Sequence, residues 1–159
     1  MTRVLKLSLA AVTLAALTAS SLAAQAADPA LGTWVLNVAK SKWTPGPGPK
    51  SQTRVYSTAA GKLKGVIDGV GADGKPTKTE YTAAMDGKDY PITGNPNYDM
   101  IALTRRDANT IHAVLKKGGK VMTTSHRVVA KDGKTMTVAS KGTNAKGEKT
   151  DDRLVFDRK

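Results

Sequence analysis

The sequence predicts an all-β fold: an antiparallel up-and-down meander of about 8–10 strands, closed as a barrel, after an N-terminal signal peptide. Three observations predict it. Runs rich in Thr, Val, Ile and Tyr recur along the chain. Asp-Gly, Gly-Gly and similar pairs separate them, and such turns need positive φ. The spacing of roughly ten to fifteen residues leaves no room for crossover helices, which excludes a parallel sheet. An open meander would carry two bare edges, and closure removes them.

Residues 1–26 read as an export signal. Arg3 and Lys6 form a basic start, Leu7 to Ala24 carries no charge, and Ala24-Gln25-Ala26 supplies the small residues of a cleavage site. Cleavage is expected after Ala26. The apolar stretch is borderline for a membrane anchor, but it is rich in Ala, Thr and Ser and no basic stop follows it. No transmembrane span is expected in the mature chain, whose place is the periplasm or the exterior.

The whole chain has 159 residues, no Cys and a net charge of +12. Without residues 1–26, which carry Arg3 and Lys6, 133 residues and a charge of +10 remain. That length fits one domain, 27–159. About 35% of it is apolar, so its core must use small and β-branched side chains. The absence of Cys excludes disulfide scaffolds, Cys-ligated zinc, iron–sulfur clusters and thiol nucleophiles.

Strands are expected at 33–38, 51–58, 62–70, 77–85, 99–105, 110–116, 120–130, 134–141 and 150–157. Residues 41–50 (SKWTPGPGPK) and 90–98 (YPITGNPNY) read as irregular because of their Pro and Gly. A three-residue loop, Lys131-Asp132-Gly133, is preferred because it pairs Val128 with Met136 and His126 with Val138, gathering apolar residues on one side. Arg54-Val55 and Gly69…Ala72…Gly74 recur at an offset of 73 as Arg127-Val128 and Gly142…Ala145…Gly147. Shared hairpin chemistry accounts for this more simply than a duplicated half-barrel.

Gly32-Thr33-Trp34 opens the first strand. This resembles the G-x-W signature of lipocalins and the wider calycin group, in which the Trp plugs one end of a barrel that holds a small apolar ligand. The stretch GTWVLNVAKSKW with the following PGPGPKS is also similar to secreted bacterial proteins described as lipocalin-like. The resemblance implies that Gly32 and Trp34 form a structural plug and that ligand enters at the other end. Fatty-acid-binding proteins of that group end in an Arg-x-Tyr strand whose Arg and Tyr hold the ligand carboxylate. Leu154 and Phe156 stand at those positions here, so that clamp is not carried over, and Arg153 points to the opposite face.

Candidate chemistry is sparse. No G-x-S-x-G elbow is present. With a two-residue Gly118-Gly119 loop, His112 faces Ser125 and His126 faces Ile111, so the two imidazoles project from opposite faces. No metal site and no catalytic residue is expected, and no cofactor. His126 shares its expected face with Ile111, Leu115, Met122 and Val128. It is either a buried, hydrogen-bonded imidazole or a head-group contact in a ligand cavity. Trp43 is a loop anchor or lines a cavity mouth. Tyr56 and Tyr81 are polar-tipped core residues or girdle residues. The candidate ligand contacts are therefore His126, Trp43, Tyr56 and Tyr81.

Lys residues are dispersed and many sit in turns, so no nucleic-acid partner is expected. The charge would draw the protein weakly toward anionic envelope surfaces. The leading expectation is an exported, non-enzymatic barrel binding a small, largely apolar ligand inside. The alternative is a cavity-less envelope module that uses its basic surface. A small barrel hydrolase or isomerase would need His126 or a carboxylate with a strongly shifted pKa in a pocket.

Overall fold

Turn chemistry and strand propensity combine into hairpins along the whole chain. The computed structural model describes residues 27–159; the expected signal peptide, 1–26, lies outside the described residues. Ten strands follow in order: β1 (Gly32–Leu36), β2 (Ser51–Ala59), β3 (Lys62–Val70), β4 (Pro76–Ala83), β5 (Asp86–Thr93), β6 (Met100–Arg105), β7 (Thr110–Lys117), β8 (Lys120–Val129), β9 (Thr135–Thr143) and β10 (Lys149–Arg158). Each pairs antiparallel with its sequence neighbours, and β1 pairs with β10 to close the barrel. No helix among the described residues is long and apolar enough to cross a membrane.

The expected nine strands become ten because residues 86–93 form β5 rather than turn and loop. Pro91 does not prevent this. Ile92 N–H donates toward β6, to Asp99 O at 3.0 Å. Bonding sides alternate along a strand, so the donor-less nitrogen of Pro91 faces β4. There β5 makes only two residue pairs, Glu80 with Thr93 and Tyr81 with Ile92.

Two expected registers are also corrected. Around the 130–134 turn, Val128 pairs with Thr137, Val129 with Met136 and His126 with Ala139. The inward row of β8 is therefore Thr123, Ser125, Arg127 and Val129, all buried, while Val128 is 41% exposed. A face that gathered Val128 with Met136 would leave Arg127 outside, whereas the barrel buries Arg127 against Asp28. The β7–β8 turn does use Gly118-Gly119, with Lys117 facing Lys120. A bulge then shifts the register between Leu115 and Lys116, leaving Met122 as the extra residue. The shift sets His112 directly opposite His126, with ring centroids 4.8 Å apart on the outer face.

The core fills one end. Trp34, Phe156 and Met136 are fully buried there, with Val129 nearly so. A large side chain buried this way contributes about 1.5–3 kcal/mol. The segment before β1 seals this floor: Trp34 Nε1–H donates to Ala30 O at 2.7 Å, and the Arg158 guanidinium lies 4.2 Å from the Trp34 ring while donating to Pro29 O and Leu31 O. Gly32 has φ of +118°, and a Cβ on it would crowd Arg158.

Candidate functional site

Alternation along the strands points every second side chain inward, and the largest fully buried side chains gather at the Trp34 end. Toward the opposite end the inward residues leave a cavity of about 650 Å³. Its mouth is bordered by the β3–β4 turn (Gly71, Asp73, Lys75), the β5–β6 loop (Gly94 to Tyr98) and Trp43. Its walls include Ile67, Ile92, Ile101, Ile111, Leu115 and Leu154. Tyr98 and Thr123 share a hydrogen bond of 3.0 Å between their hydroxyls.

The Pro-Gly segment forms part of the rim. Lys42 and Arg153 exchange backbone bonds of 2.8 and 2.9 Å, and Asp151 N–H donates to Thr44 O at 2.9 Å, strapping residues 42–44 along β10. Trp43 is thereby turned into the cavity, and its Nε1–H is buried without a partner. The ring lies against Gly48, where a Cβ would collide with it.

The deep end of the cavity is polar. Arg54 and Tyr56 enter from β2, Tyr81 from β4 and Arg127 from β8. Arg127 Nη2 bonds Asp28 Oδ2 at 2.7 Å, and its guanidinium lies 4.6 Å from the Tyr56 ring. Arg54 Nε donates to Gln52 Oε1 at 2.8 Å, and its guanidinium lies 4.6 Å from the Phe156 ring. Burial raises the Tyr56 hydroxyl pKa, but Arg54 and Arg127 outweigh burial and hold it below the ordinary phenol value. Burial pushes the Tyr81 hydroxyl up, and neighbouring Tyr56 adds to the shift.

The sequence-predicted residues divide as follows. Tyr56, Tyr81 and Trp43 come together on the cavity. Gly32 and Trp34 lie at the closed end, and Trp34 is buried. Leu154 and Phe156 are buried inside, and Arg153 is exposed outside, as their alternation implies. His126 is corrected: it is exposed on the outer face and does not touch the cavity. Its expected inward placement depended on a register without the β8 bulge. His112 stands beside it; partial burial, followed by the neighbouring His126 and Arg106, lowers its pKa below 6.5.

Sequence reasoning missed Arg54, Arg127 and Asp28. One signal pointed to the first two. The Arg-Val pairs that recur at an offset of 73 supply both cavity arginines, one from each half of the chain. The chain matches no protein-family model and no curated protein.

Proposed function

We propose that this chain is an exported, non-enzymatic, lipocalin-like barrel that holds a small, largely apolar ligand in its interior. One observation carries the reading: a cavity of about 650 Å³ opens at the end opposite Trp34. That volume lies within the roughly 300–1,000 Å³ of small-molecule sites. Apolar walls with a few convergent polar groups are the composition such sites need. The interior space favours this reading over a cavity-less envelope module. Both histidines stand on the outer face, away from the cavity, which favours binding over acid–base chemistry there.

A neutral apolar fluorophore, 1-aminoanthracene, tests the interior site. Saturable enhancement at one molecule per barrel is the expected result. Ala113 is buried on β7 and lines the cavity, so Ala113→Trp fills the space and weakens binding at least about tenfold. Absence of saturation, or a variant that binds as well as the parent, sinks the reading. Export is tested by the mass of the protein in the periplasmic fraction of its host, where an N-terminus at Ala27 is expected.

A further inference from the structure

The charge at the deep end of the cavity selects among apolar ligands, given that the interior-ligand reading above holds. Arg127 and Arg54 both line the cavity. Asp28 neutralises Arg127, and the same Oδ2 also lies 3.4 Å from Arg105 Nη2 at the outer rim. One carboxylate therefore serves two guanidinium groups. Arg54 takes part in none of the ion pairs among the described residues. Its polar contacts are neutral, to Gln52 Oε1 at 2.8 Å and to the Tyr56 hydroxyl at 3.4 Å.

A second observation points the same way. Arg127 is 7% exposed, and its Nε–H is buried without an acceptor. Buried donors are normally satisfied, and one left open beside a cavity marks the place of a missing acceptor. A guanidinium cannot lower the cost of burial by giving up its proton. It is relieved only by an anion or by strong acceptors. The low-lying Tyr56 hydroxyl pKa reports the same positive field.

Arg105 and Arg127 share the one Asp28 carboxylate, and Arg54 is the guanidinium at the deep end with no carboxylate partner, so a monoanion beside it pairs that charge. A carboxylate presents two coplanar oxygens, which match the fork of a guanidinium. Ile67 pairs with Arg54 and Ile111 with Arg127, and from that level Ala113 and Leu115 continue along β7 toward the mouth.

We propose that the cavity takes an amphipathic monocarboxylate, head first, with its carboxylate held by Arg54, Arg127 Nε–H and the Tyr56 hydroxyl and its apolar tail running along Ile67, Ile111 and Leu115 toward the mouth. Orientation follows from chemistry at the two ends: a tail at the floor would leave the guanidinium groups desolvated and unpaired.

Decanoate and decanol test this as a matched pair, titrated calorimetrically into the purified protein at neutral pH. The two probes share a chain length and differ in head group. Decanoate is expected to bind at least about tenfold more tightly. Arg54→Met is expected to bring the two affinities together by lowering that of decanoate, and a circular dichroism spectrum matching the parent's shows that the variant is folded. Arg54→Lys keeps the charge without the fork; it guards against a folding defect in the Met variant and is expected to retain only part of the preference. Equal affinities in the parent, or a full preference in both variants, overturn the head-group assignment while the interior-ligand reading stands. Binding of neither probe overturns both.

Discussion

Arg127 carries more of the barrel's logic than any apolar residue. It sits in an inward row between Ser125 and Val129, and its guanidinium is committed to Asp28, ninety-nine positions earlier in the chain. Both side chains are 8% exposed. Removing one partner of such a pair leaves the other buried and uncompensated. Asp28→Asn is therefore expected to lower stability by about 3–5 kcal/mol, measured by urea unfolding. Adding Arg127→Met removes the stranded charge, so the double variant is expected to be more stable than Asp28→Asn alone. Equal losses in the two would show that Asp28 acts through its loop and not through Arg127. This pair also explains what pattern reading could not reach. An alternation rule places an arginine outside by default, and nothing near Arg127 in the sequence announces its partner. Tyr56, Tyr81 and Trp43 were legible because an aromatic ring with a polar tip suits a cavity wall wherever the register falls.

At the scale of elements, the turns were the readable part. Gly118-Gly119 and the 130–134 connection punctuate the chain where the strands reverse. What happens inside a strand was less readable. The β8 bulge leaves no mark in the residues around Met122, yet it moves His126 from one face to the other. Pro91 and Gly94 hid β5 because a proline rules out only one ladder bond, and that bond falls on the sparsely paired seam with β4. Glycine inside strands was informative in a different way. Gly142 on β9 faces Thr123, and a Cβ there would run into the Met122 carbonyl. Gly69 on β3 meets the Ser51 carbonyl in the same manner. Both positions let adjacent backbones approach closely near the open end. Gly142→Ala should cost about 1–3 kcal/mol, read as a lowered thermal midpoint; an unchanged midpoint would mean the strands part freely at that point. The 73-residue offset joins these two glycines just as it joins the two cavity arginines.

The whole molecule responds to acid through groups spread around its surface. His112 has a folded pKa below its unfolded value near 6.5, so the folded state binds fewer protons than the unfolded chain in the window between the two. Its contribution is fully present above about pH 6.5 and is lost as pH falls through the folded value. Glu80, Asp86 and Asp107 are also held below their ordinary values: Glu80 chiefly by Lys78, Asp86 by the Lys88 N–H and Asp107 by the Asn109 N–H. Their contributions disappear at lower pH. Thermal midpoints are expected to fall in two stages on acidification, and His112→Gln should flatten the stage nearest neutrality. A parent-like profile in that variant would assign the first stage to another group.

Closure of the barrel gives the chain a definite order in time. β1 finds its second neighbour only in β10, and Asp28 waits for β8 to deliver Arg127. The Trp34 ring is covered by Arg158, the last residue of β10. The first strand is thus completed by the tenth. A chain stopped short of β10 would have strand edges at both ends and no cover over the Trp34 ring, so the barrel cannot close until the tenth strand has formed.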